Sequence, residues 1–140
     1  MADLTSAALR GDTATVKKLW MDKEVNVNFH DSFGETLLMS AAWSGSAELA
    51  EFLIEKGADV NAQDKSGGTA LMRAALNGNM EFAIVLINNK KSKLNLQDRS
   101  NKTAFDYALE GKHEDIAEVL KMGGANLGFQ HIKKRASHRA

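Results

Sequence analysis

The stretch DSFGETLLMSAAWSGSAELAEFLIEKGADVNAQ, residues 31–63, decides how the rest of the chain reads. Asp31 followed by Gly34 is a turn signature. The carboxylate accepts hydrogen bonds from nearby backbone amides, and glycine tolerates a positive φ. Thr36 stands where a helix cap is wanted, and the spacing predicts a helix from Leu37 to the stop at Gly45. Leu38, Ala41 and Ala42 form its narrow apolar stripe, small enough for close helix packing. A second helix is expected from Glu48, with Leu49, Phe52, Leu53 and Ile54 toward the core and Gly57 as a left-handed stop. Val60 then returns the chain in an extended segment to the next aspartate. The unit is a turn followed by two antiparallel helices.

This unit recurs. Gly34 returns as Gly67 and Thr36 as Thr69, and Thr103 follows at nearly the same interval. Val27-Asn28, Val60-Asn61 and Leu94-Asn95 keep step, and Asp31, Asp64 and Asp98 open the full units. The helical core SAA of residues 40–42 has relatives in SAALRG (6–11) and RAALNG (73–78). An all-α solenoid of antiparallel helix pairs, joined by β-turn or hairpin loops, is the expected fold.

The pattern resembles the ankyrin repeat. GETLLMSAAWSGSAELAEFLIEKGADVNAQD is a near-complete match and GGTALMRAALNGNMEFAIVLI a good one; NKTAFDYALEGKHEDIAEVLKMGGANL matches with Asn101 and Lys112 where the family usually has glycine. LTSAALRGDTATVKKLWMDKEVNVN looks like an N-terminal capping repeat. Four repeats are read, about 3–30, 31–63, 64–97 and 98–127, followed by a basic tail, 128–140. Two departures stand out. The family's proline after the capping threonine is replaced by Leu37, Ala70 and Ala104. Its histidine two positions on is Met39, Met72 or Asp106, which predicts the loss of an inter-repeat hydrogen bond and a less stable array. Secondly, NNKKSK (88–93) inserts one residue and makes a basic loop after the third repeat.

Composition narrows the function classes. The 18 basic and 18 acidic side chains cancel, so net charge points to neither nucleic acid nor a membrane surface. Cysteine is absent, which excludes disulfides and thiolate chemistry. No apolar run approaches the ~20 residues a membrane span requires, and the first residues lack a signal peptide's basic start and apolar stretch. Cytoplasmic residence is expected, or export if a leader preceded Met1. His30, His113, His131 and His138 show no metal-ligand spacing, and no Gly-x-Ser-x-Gly nucleophile elbow occurs. No catalytic constellation is visible, and no enzyme activity, cofactor, metal or small-molecule substrate is expected. The chain alone is expected to be a monomer.

The resemblance implies that contact residues lie on the turn tips and on the first helix after Ala-Ala, along one concave face. Those positions are Ser32, Phe33, Glu35, Trp43 and Ser44 in the second repeat, and Lys65, Ser66, Leu76 and Asn77 in the third. Arg99, Lys102, Tyr107 and Glu110 come from the fourth, Leu9 and Arg10 from the capping repeat, with Phe29 and His30 in its exit segment. Phe52, Phe82, Phe105 and Trp20 fall where the repeat expects core. Phe33 and Trp43 fall where it expects surface, which is the composition of a binding hot spot. The competing reading lays Trp43 across Leu9 and Leu76 to cover the stack.

A protein partner is therefore expected, bound without catalysis. Lys65, Arg99 and Lys102 suit an acidic patch on it. An inhibitor or immunity-type protein that masks an enzyme is the alternative. A weaker one is nucleic-acid binding through Lys90, Lys91, Lys93 and the tail. The tail reads first as a solvated terminus, with Phe129 and Ile132 able to cover the last helix pair and Ser137 in a basic context.

Overall fold

The computed structural model describes residues 2–21 and 24–123, excepting the side chain of Ala2. Among these residues eight helices follow one another in pairs: α1 (Ala2–Leu9) with α2 (Thr13–Met21), α3 (Leu37–Ser44) with α4 (Ala47–Glu55), α5 (Ala70–Asn77) with α6 (Met80–Ile87), and α7 (Ala104–Glu110) with α8 (Glu114–Lys121). The first helices pack in a row, α1 on α3, α3 on α5 and α5 on α7; α4, α6 and α8 form a second row behind. Among the described residues the one extended pairing is an antiparallel bridge, His30 to Thr36.

Each first helix starts on the predicted threonine. Thr36, Thr69 and Thr103 accept hydrogen bonds from the amides of Met39, Met72 and Asp106 at 3.3, 3.1 and 3.3 Å. Asp106, at the family's histidine position, accepts from the Thr103 amide and completes a capping box. The second helix of the quoted unit begins at Ala47, one residue earlier than expected, because the Ser46 hydroxyl caps it by accepting from the Leu49 amide. Asn79 and His113 hold the equivalent position but reach backward. Asn79 Nδ2 donates to the Ala42 carbonyl (2.6 Å) and His113 Nε2 to that of Leu76 (3.1 Å). Each thereby satisfies a helix-end carbonyl of the preceding unit.

The core is broader than the stripe anticipated. Leu37, Leu38, Met39, Ser40, Ala41 and Ala42 are all buried, because α3 is sandwiched between α1 and α5. Phe82 is fully buried as expected. Phe52, Phe105 and Trp20 are only partly covered, which corrects their assignment to the core proper. Trp20 and Phe52 meet edge to face at 5.4 Å, with the ammonium groups of Lys17 and Lys56 over the Phe52 ring.

Asparagines lace the units together on the opposite edge. Asn28 donates to the Gly57 carbonyl and accepts from the Asp59 amide. Asn61 does the same to the Lys91 carbonyl and the Lys93 amide. The inserted residue after the third unit is absorbed into a turn, with the Ser92 hydroxyl donating to the Leu86 carbonyl at the end of α6. Lys90, Lys91 and Lys93 project outward from this loop.

Candidate functional site

The tips of the turns are built alike and stacked in register. One carboxylate oxygen of Asp31 accepts from the amides of Phe33 and Glu35. Asp64 does so for Ser66 and Gly68, and Asp98 for Ser100 and Lys102. The Lys65 amide donates to the Phe33 carbonyl and the Arg99 amide to that of Ser66, both at 2.9 Å, so successive tips are tied to one another. Gly34 (φ 80°) shows why a side chain is excluded here. A Cβ would stand 3.1 Å from the Asp64 backbone of the next tip.

Beside the tips, one residue organises the face, and sequence reasoning did not single it out. Arg73 of α5 donates to Glu35 of the preceding unit (2.5 Å) and to the second oxygen of Asp64 (2.7 Å). Its side chain is only 14% exposed, so both pairs are shielded from solvent. Its guanidinium also lies 5.4 Å from the centre of the Trp43 ring. Burial alone would raise the Asp64 carboxyl, but hydrogen bonds from Ser66, Gly68 and Arg73 outweigh it and hold the group below its ordinary value. The signal available in the sequence was an arginine between Met72 and Ala74, in a run otherwise apolar and buried.

A second cluster forms one unit further on. The Tyr107 hydroxyl donates to Asp98, and that bond pushes the tyrosine up to about 12. Lys102 pairs with Glu110 at 2.8 Å, which raises the lysine, and its ammonium lies 5.5 Å from the Tyr107 ring centre.

The positions expected to make contact differ in their surroundings. Glu35 and Trp43 are joined through Arg73, and Lys102, Tyr107 and Glu110 through one another; their charges are engaged within the chain. Ser44 and Ser66 bond locally: Ser44 Oγ donates to the Ala41 carbonyl, and Ser66 Oγ, on an exposed tip, to Asp64. Ser32, Phe33, Lys65, Asn77 and Arg99 point to solvent, with Phe33 70% exposed and Trp43 47%. At the first unit Leu9 is exposed and Arg10 pairs with Asp12 at 3.7 Å. Leu76 is half-buried, whereas Phe29 and His30 are exposed. Phe129, Ile132, Lys133, Lys134, Arg135, Ser137, Arg139, His131 and His138 lie outside the described residues. Among the described residues no cluster of His, Asp or Glu could hold a metal ion, and no helix is long and apolar enough to cross a membrane.

A stacked row of turn-and-helix-pair units, tied tip to tip, defines a repeat protein whose exposed edge is a surface. A family model described as ankyrin repeats (3 copies) matches residues 4–64 and again 57–131. The chain belongs to the ankyrin-repeat family. No curated protein matches it. Ankyrin repeats generally serve as protein–protein interaction modules, and the family is generally non-enzymatic.

Proposed function

We propose that this chain is a binding module for a folded protein, engaged across the face that carries Phe33 and Trp43. The observation that carries the reading is the setting of Trp43. Its ring is half exposed, yet braced by a guanidinium that two carboxylates hold in place. An aromatic side chain positioned in advance loses little entropy on binding, which is what makes an anchor of it. Phe33 on the neighbouring tip extends the apolar area. Lys65 and Arg99 add exposed positive charge on the next two tips, suited to an acidic patch whose attraction would mainly raise the association rate.

Trp43→Ala tests this against a partner captured from native lysate. Titration calorimetry should show binding weaker by about 2 kcal/mol or more, with the helical circular dichroism unchanged. Unaltered affinity would remove the face assignment. If the captured partner is an enzyme, its turnover at saturation separates masking from tethering.

A further inference from the structure

Leu9, Trp43 and Leu76 each follow the buried Ala-Ala pair of their unit, so they stand in one row across α1, α3 and α5. Leu9 is 45% exposed, Trp43 47%, and Leu76 is half-buried. The row stops at the fourth unit, where Glu110 holds the place and pairs with Lys102 at 2.8 Å. The alanines beneath it, Ala7, Ala8, Ala41, Ala42, Ala74 and Ala75, are at most 1% exposed. Helices that meet through methyl groups lie at the low end of packed spacings, about 8–9 Å apart. The three side chains are therefore set about 8–9 Å from one another in turn.

That interval selects the kind of chain able to cover all three. A β-strand presents one face at steps of about 7 or 13 Å, and neither matches. An α-helix laid across the row offers residues seven apart, about 10.5 Å, and overshoots at each step. A polyproline II chain has three residues per turn and repeats its face every 9 Å or so, which fits. The polar groups point the same way. Among the described residues no acceptor meets the Trp43 indole N–H, and Asn77, exposed beside Leu76 at the end of α5, has no partner for its side-chain amide. A helix spends its carbonyls on itself, whereas polyproline II leaves every one of them free to accept.

We propose that the part of the partner seated here is a proline-rich segment in polyproline II conformation, with its residues i, i+3 and i+6 over Leu9, Trp43 and Leu76. The Trp43 N–H and the Asn77 amide donate to its carbonyls. Arg10 at one end of the row and Lys65 near the other are exposed and favour acidic residues flanking the segment. The row belongs to the face already assigned to a protein partner, and the proposal rests on that assignment.

Three synthetic peptides test it by titration calorimetry, all with glutamate at both ends. One carries three leucines separated by pairs of prolines, one carries three leucines alternating with threonine, and one carries three leucines seven apart in an alanine-rich helix. The proline peptide should bind the full chain saturably and about tenfold tighter than either of the others. In the Trp20→Phe chain it should also shift the emission of Trp43, then the only tryptophan. Trp43→Phe keeps a ring and removes the donor, so it should weaken the proline peptide by about threefold to tenfold, and Asn77→Ala should weaken it as well. Tighter binding of the helical or the alternating peptide overturns the proposal, as do equal affinities, no binding at all, or undiminished binding to Trp43→Phe. If the peptides fail while Trp43→Ala still weakens the captured partner, the face assignment stands and only the proline-rich segment falls; if Trp43→Ala is silent too, both fall.

Discussion

Arg73 and Tyr107 hold the same position in successive units, the one that Ser40 fills in the second, and each reaches the turn aspartate of its own unit. The chemistry differs. Arg73 joins three residues of the face, whereas the Tyr107 hydroxyl donates its hydrogen to Asp98 alone. Ionising Tyr107 would set two negative charges against each other, so its folded pKa of about 12 lies above the ordinary 10.0. Asp98 is held below its ordinary value, first by the same bond. The stabilisation from Tyr107 is thus complete below pH 10 and is lost as pH rises toward 12; that from Asp98 is present above its ordinary value of 3.8 and lost as pH falls through its depressed one. Tyr107 is the only tyrosine in the chain, so tyrosinate absorbance reads it alone. Its midpoint should lie near 12 in the folded protein and near 10 in urea or in Asp98→Asn, and a folded midpoint near 10 would show that the bond does not form in solution. Trp43 and Phe33 were legible at this scale because the repeat leaves their positions open. Arg73 was not, because its role depends on Glu35, thirty-eight residues away.

At the scale of the element, the helices follow local signals closely. Thr caps, glycine stops and the missing proline are all tolerated in place, and Gly45 and Gly78 end α3 and α5 in the left-handed region at φ 76° and 74°. The fourth unit departs from this rule. Lys112 stands at the equivalent site with φ 62°, and Asn101 in the turn with φ 64°. Asparagine enters that region readily, but lysine does so at a cost of roughly 1–2 kcal/mol. Lys112→Gly should therefore stabilise the protein by about 0.5–1 kcal/mol after glycine's own loss of backbone freedom is counted. Urea unfolding checks it, and a lower midpoint would mean that the lysine side chain compensates. The second helix's start was placed one residue late because glutamate in a first turn is a weaker marker than the serine that caps it.

The whole molecule is held by packing between units as much as within them. Ala41, Ala42, Ala74, Ala75 and Ala108 have no exposure at all, so the first helices approach as closely as methyl groups allow. Ala75→Leu, which copies Leu109 into the interior, should wedge α5 from α7 and cost about 2 kcal/mol by overpacking. The loss should appear as a lower urea midpoint; an unchanged midpoint would show that the stack has slack. The hydrogen bond expected to be missing at Met39 and Met72 has no replacement at those buried positions. Neighbouring units are instead tied from elsewhere, by Asn28, Asn61, Asn79, His113 and the Gln63 amide that reaches the Gln97 carbonyl. Asn28 and Asn61 were legible as a recurring position, but the partners of these ties were not, since each bond joins residues about one repeat apart.

The sequence by itself determined the repeat, its turns, its caps and the two aromatic residues that the repeat does not require, because backbone conformation and hydrophobic periodicity act over a few residues. Tertiary structure alone decided which polar side chains remain free. Glu35 reads as surface in one dimension, and stacking gave it Arg73 of the next unit, while Ser44, Ser66, Lys102 and Glu110, which read as surface too, found partners within their own units. It also decided where the array stops. Leu109 is a substitution of no consequence in a single helix, and it matters only because an inner helix packs on its counterparts at Ala42 and Ala75 and none does so there among the described residues.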